Sequence, residues 1–260
     1  MSGEVVKSRG AATIAGAPIS WVAIWGAICG ATSFIPVLFY IGGGGYISLG
    51  MVFISLSPLI LGLWGGIVAG FIGGLIGMLI CPAAFPLGII DALDIGAYSA
   101  FLVGLAANKK TYKYFVLNYI AQLIILLLVP YRYPGPAGGY SPLPWPNYLI
   151  SAYGHIALFI VALTPLGWKY MPEWLRSEDT KKLYIGLLIL LLMAYQGCFY
   201  MPFDWTYYLL MKYPVEVAMM INFTWPWADT WACLVWAAIG VIIITALRKS
   251  GLRKIPGAIW

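Results

Sequence analysis

Long apolar runs separated by short polar connections set the pattern of this chain. Where a run reaches about 20 residues it is long enough to cross a bilayer as a helix. Eight such runs are predicted: Ser20–Phe39, Ile47–Leu63, Gly65–Leu79, Ile89–Ala107, Tyr114–Val129, Tyr148–Gly167, Leu183–Tyr200 and Trp227–Leu247. Only Trp64 and neighbouring glycines separate the second from the third. The stretch 204–222 is amphipathic and interrupted by Pro214, so it is expected to form helical segments at the surface or folded back into the bundle. Between the fifth and sixth runs, residues 131–147 carry Pro134, Pro136, Pro142, Pro144 and Pro146, which predicts an extended, stiff loop.

Composition supports the same reading. Of 260 residues 62% are hydrophobic and 9% charged, more apolar surface than a soluble core can hide. The expectation is one all-α domain over 1–260, an integral membrane helical bundle of about eight spans, with six also compatible. Cys29, Cys81, Cys198 and Cys233 lie in or beside apolar runs without Cys-x-x-Cys spacing and read as small buried hydrophobes. The first apolar run is too long for a removable signal peptide, and no small-residue cleavage site follows it.

The net charge of +6 bears on topology rather than on nucleic acid. With the N-terminus inside, one side collects Lys7, Arg9, Lys109, Lys110, Lys113, Lys169, Arg176, Lys181, Lys182, Arg248, Lys249, Arg253 and Lys254. The other side collects only Arg132 and Lys212. The expected location is therefore the cell membrane, multi-pass, with both termini cytoplasmic.

Little in the sequence points to catalysis. His155 is the single histidine, no phosphate loop is present, and Asp91-x-x-Asp94 has no second acidic pair on another span. No enzyme activity, metal or cofactor is expected. Two other signals stand out. Ala23, Ala27 and Ala31 recur every four residues in the first run, as do Gly66, Gly70 and Gly74 in the third. Such ridges serve internal packing or docking of another membrane subunit.

Asp91, Asp94, Asp204, Glu216 and Asp229 all map to the outer half, beside Trp205, Tyr207, Tyr208, Phe223, Trp225, Trp227 and Trp231. Each acid also falls near a predicted helix start, where a carboxylate caps free N–H groups. Taken together, they predict a binding cavity for a small cationic or aromatic solute. His155, Asn118, Gln122 and Gln196 are expected to bond between helices. Asn222-Phe223-Thr224 matches the glycosylation acceptor pattern, which recurs by chance.

The segment running from Ile41 through Gly42–Gly45 and Ile47-Ser-Leu-Gly50, then from Pro58 to the glycine-rich stretch ending at Gly77, resembles the substrate-binding S component of energy-coupling factor (ECF) vitamin transporters. Ala23-x-x-x-Ala27 is similar to that family's docking motif, and the basic end 246–254 fits it loosely. That family usually has six helices in a shorter chain, so under the resemblance the surplus is an inserted hairpin around 112–182. The resemblance implies a non-catalytic subunit that binds one vitamin or related solute at its outer face. Its partners would be a transmembrane scaffold subunit and two cytoplasmic ATPases. Residues 40–46, bounded by Tyr40 and Tyr46, would be the lid. Asp204, Trp205, Tyr208, Glu216, Trp225 and Trp227 would line the site, and Ala23, Ala27 and Ala31 would dock the scaffold. The alternative is a non-catalytic accessory subunit of a larger membrane complex, whose ridges serve only to bury partner helices.

Overall fold

The computed structural model describes residues 12–40, 45–128, 132–134, 140–142, 145–202, 206, 210 and 215–260. The described residues are mostly helical. After a small ribbon, β1 (Thr13–Ile14) against β2 (Ala17–Pro18), comes α1 (Ile19–Ala31). A second antiparallel ribbon follows, β3 (Pro36–Phe39) with β4 (Tyr46–Ser48). The first predicted span therefore ends early: its last residues form a strand, because Pro36 lacks the N–H that would continue the helix.

Next is α2 (Gly50–Ile80), two helical arms joined across a kink. Pro58 lies inside it, and Gly62 takes φ 72° and ψ 169°, a backbone conformation open to glycine and far from helical. The chain reverses there. Gly50 and Gly77 both lie against Ser33, and the Ser57 hydroxyl is 2.9 Å from the Gly66 carbonyl oxygen, contacts impossible along one rod. Gly66 packs directly on the Pro58 backbone, where any Cβ would collide. So 50–61 and 63–80 are antiparallel arms of about 18 and 27 Å. The reversal comes at Gly62, two residues before the predicted Trp64.

The remaining helices are α3 (Ile89–Ala106), α4 (Tyr112–Leu128), α5 (Trp145–Leu163), the short α6 (Met171–Trp174), α7 (Thr180–Pro202) and α8 (Val215–Lys249). Within α3, Ala92–Tyr98 is a π-helical stretch, and within α7 so is Leu192–Phe199. In the proline-rich segment β5 (Arg132–Pro134) pairs with β6 (Tyr140–Pro142), so the described part of that loop is a ribbon. Three short ribbons thus qualify the all-α expectation. Among the described residues, four helical stretches are long and apolar enough to cross a membrane by length and composition: Gly50–Ile80, which is folded back at Gly62, Ile89–Ala106, Thr180–Pro202 and Met220–Lys249. Large apolar side chains on the outside, among them Leu79, Trp231 and Ile242, are compatible with lipid around them.

Glycines set the packing. Gly26 and Gly30 of α1 press on Ala69, Ile72, Gly73 and Ile76 of α2, while Ala23, Ala27 and Ala31 point away and are exposed. Gly70 and Gly74 meet the backbone of α3 at Gly96 and Ala92. At the lysine-rich end the segment 255–260 covers the reversal of α2. Ile259 donates its backbone N–H to Leu59 O (2.9 Å), and the Trp260 indole donates to Ile60 O (2.9 Å). These are carbonyls that the break at Gly62 leaves without helical donors. Trp260 also stacks on Trp21 of α1, and Arg248 donates to Ser177, Leu175 and Ile259 carbonyls. At the same end Lys109 pairs with Glu173 at 2.6 Å, which holds the Glu173 carboxyl below its ordinary range.

Candidate solute site at the ribbon end

Three helices build a polar pocket at the end of the molecule that carries the β3–β4 ribbon. Gly154 and His155 come from α5, Gln196 and Tyr200 from α7, and Asn222, Trp225, Pro226 and Asp229 from α8. Asp229 is fully buried, and Asn222, His155 and Gln196 are each less than a tenth exposed.

Local sequence explains why the helices open here. Pro226 cannot donate to the preceding turn of α8. Its own carbonyl accepts Gln196 Nε2 (2.7 Å) and the Thr230 hydroxyl (2.8 Å), and Thr230 also donates to Gln196 Oε1 at 3.2 Å. A carbonyl only accepts, so His155 donates from Nδ1 to Gly197 O at 2.7 Å. The His155 carbonyl in turn accepts from the Tyr119 hydroxyl at 2.9 Å. The π-helical stretch of α7 turns successive side chains toward different neighbours: Gln196 toward α8, and Cys198 toward Asn118 of α4.

Aromatic rings form the adjoining wall. Tyr195 packs edge-on against Trp236 (4.6 Å between centroids) and Tyr200 (5.2 Å). Tyr200 meets Trp225 at 5.7 Å, and Trp225 meets Tyr40 at 6.1 Å. The Asp229 carboxyl lies within electrostatic reach of Tyr195, Tyr200 and Cys233. A buried carboxyl, amide donors and acceptors, and ring faces together can recognise a small polar molecule with an aromatic or cationic part. The cavity among them measures about 20 Å³, one water site. Any larger guest requires the wall to move.

The sequence-predicted residues are distributed unevenly around this pocket. Trp225 lines it and Tyr40 covers Trp225. Tyr46 does not reach it: its hydroxyl donates to Ser33 O (3.2 Å) and lies 2.6 Å from Cys81 Sγ, tying the ribbon to α1 and α2. Asp91 accepts the Leu87 N–H at 2.6 Å, closing the turn that starts α3. Asp94 sits half-buried one turn on, near Tyr98. Glu216 is exposed in the first turn of α8, and Trp227 is 65% exposed on its outer surface. Neither lines the pocket. Asp204, Trp205, Tyr208 and lid residues 41–44 lie outside the described residues.

Asp229, one of the outer acids expected to gather at a binding cavity, with a cap beside a helix start at Trp227 as the alternative, lines the pocket. That helix begins at Val215, which places Asp229 well inside α8. Its apolar stretch before Pro226 was the available signal, obscured by treating 204–222 as one amphipathic unit. Tyr200, Gly154 and Asn222 were missed as lining residues because only the crossing of α5, α7 and α8 brings them together. His155 and Gln196 do bond between helices, and they also face the pocket. Asn222, buried inside a helix, is no accessible glycan acceptor.

A second polar cluster joins α3 to α4: Tyr98 donates to Asn118 Oδ1 (2.7 Å) and accepts from Gln122 Nε2 (3.1 Å). No family model, curated protein or solved structure matches the chain.

Proposed function

We propose that the protein is the solute-binding subunit of an ATP-driven uptake transporter of the energy-coupling factor kind, taking a small cationic or aromatic solute at the ribbon end. Under this reading the chain crosses the membrane eight times with both termini cytoplasmic. The ribbon end then faces outward and the lysine-rich end inward. Binding, not chemistry, is its task. ATPase power reaches it through a transmembrane scaffold subunit seated on Ala23, Ala27 and Ala31, with two cytoplasmic ATPases beyond.

One observation carries the reading. The buried Asp229 carboxyl, the Gln196 amide and the Trp225 and Tyr200 rings converge from α7 and α8 beneath Tyr40, which is the first residue of the expected lid. Solute entry opens the pocket by moving Tyr40 and the first turns of α8. The test is mass spectrometry of small molecules released from detergent-purified protein, joined to thermal-shift screening of water-soluble vitamins and amines. A solute that raises Tm should bind at least about tenfold more weakly to Trp225→Ala and Asp229→Asn, the loss of a ring contact and of a charge. A screen with no stabilising solute and no released molecule defeats the proposal.

The one-water cavity favours a second reading, an accessory subunit whose polar residues only hold helices together. It predicts that the same substitutions lower Tm and touch no ligand. Co-purification of ATPase subunits selects the first reading; a single larger complex without ATPases selects the second.

A further inference from the structure

The apolar stripe of α8 is the least covered of the four long helices. A third of its apolar window is buried, against 72% for α7. Where α8 crosses α7 near the lysine-rich end, the two helices leave a surface groove of about 550 Å³. Ile185, Ala238, Val241 and Ile242 form its walls, with Tyr184 beneath and Thr180 and Lys181 at the mouth. Ile242 is 70% exposed and Ile185 43%. Tyr184 donates its hydroxyl to the Leu234 carbonyl, so its ring floors the slot and its polar atom is occupied.

Charge identifies the occupant. Lys181 lines the groove itself, and Lys249 lies one heptad beyond Ile242, on the same face of α8. Lys182, Arg253 and Lys254 add positive charge at that end. The described acids there are Glu173 (paired with Lys109), Glu178 and Asp179, the last engaged as the cap of α7, accepting the Lys181 backbone N–H at 2.8 Å. A transmembrane partner helix would want small residues for close approach, and of the walls only Ala238 is small, Thr180 lying at the mouth. An apolar slot lined by Ile185, Val241 and Ile242, with Lys181 and the Thr180 hydroxyl beside it, suits an anionic amphiphile.

We infer that this groove is a binding site for an anionic phospholipid, its acyl chain between Ile185 and Ile242 and its phosphate at Lys181, Thr180 and Lys249. The inference does not depend on the transport reading. Delipidated full-length protein is mixed with equimolar phosphatidylglycerol and phosphatidylcholine of matched chains, and retained lipid is read by native mass spectrometry. Wild type retains phosphatidylglycerol preferentially. Lys181→Gln and Lys249→Gln each lower that preference by about fivefold. Lys182→Gln, outside the groove lining, leaves it within about twofold, and Ala238→Trp, which fills the slot, reduces retention of both lipids. All these positions are exposed, so folding survives; unchanged circular dichroism verifies it for each variant. Equal retention of the two lipids by wild type, or a preference that persists in both Lys181→Gln and Lys249→Gln, overturns the inference.

Discussion

Gln196 shows how one side chain can hold two helices. Its amide N–H and carbonyl engage Pro226 O and Thr230 Oγ1, both on α8, where proline has disturbed the backbone ladder. Polar bonds between apolar helices average about 0.6 kcal/mol and reach about 1.7. Gln196→Leu should therefore cost roughly 1–2 kcal/mol. Thermal unfolding in detergent measures this as a Tm several degrees lower, and Gln196→Glu should do no better at neutral pH, because its carboxylate keeps the acceptor to Thr230 but sets an oxygen against Pro226 O. No loss in Gln196→Leu would mean that the Pro226 region is held by ring packing alone.

The hairpin in α2 is the element on which the fold turns. Its reversal combines a glycine conformation at Gly62, backbone contact at Gly66, and a plug formed by 255–260. Gly62→Ala meets both strain and the Pro256 carbonyl, whereas Gly251 has similar φ (+68°) with nothing within 4 Å. Strain by itself costs about 1–2 kcal/mol, so Gly251→Ala should stay near that figure, and Gly62→Ala should exceed it clearly. Trp260→Phe, which keeps a ring on Trp21 but loses the donor to Ile60 O and part of a buried indole, should cost about 1–3 kcal/mol. Chemical denaturation in mixed micelles ranks the three; a ranking with Gly251→Ala worst would overturn this account of the reversal.

At the scale of the whole molecule the decisive property is orientation. The ribbon end and the lysine-rich end are opposite poles, and the transport reading requires the first to face outward. In a background with all four cysteines replaced, Ala83→Cys lies on the exposed turn after α2, and Lys254→Cys on the other pole. Membrane-impermeant maleimide should label Ala83→Cys in intact cells and Lys254→Cys only after permeabilisation. The reverse pattern would put the pocket inside and exclude uptake from that face. The docking proposed for α1 belongs to this scale too, because Ala23, Ala27 and Ala31 share one exposed face of α1 while its glycines pack inward on α2.

Helix ends were not legible in the sequence: α1 stops at Ala31 and α8 starts at Val215. Hydropathy was enough for the helical character and for where most apolar helices lie, and small-residue spacing for the glycine-dense contacts of α1 and α2. These follow from nearest neighbours in the chain: apolar length, proline and glycine act locally. The same local logic misplaced the start of α8, since 204–222 reads along the chain as a separate amphipathic stretch, whereas the helix runs from Val215 through Pro226, whose carbonyl Gln196 and Thr230 engage. It also grouped the outer carboxylates, which the fold then separates. Asp91 closes a turn, Glu216 meets the exterior, and Asp229 is drawn into the core beside Tyr195 and Tyr200. Which face of a helix meets which neighbour depends on crossing angles and on the π-helical turns of α3 and α7. Those arise from packing between segments distant in the chain, and no window along it records them.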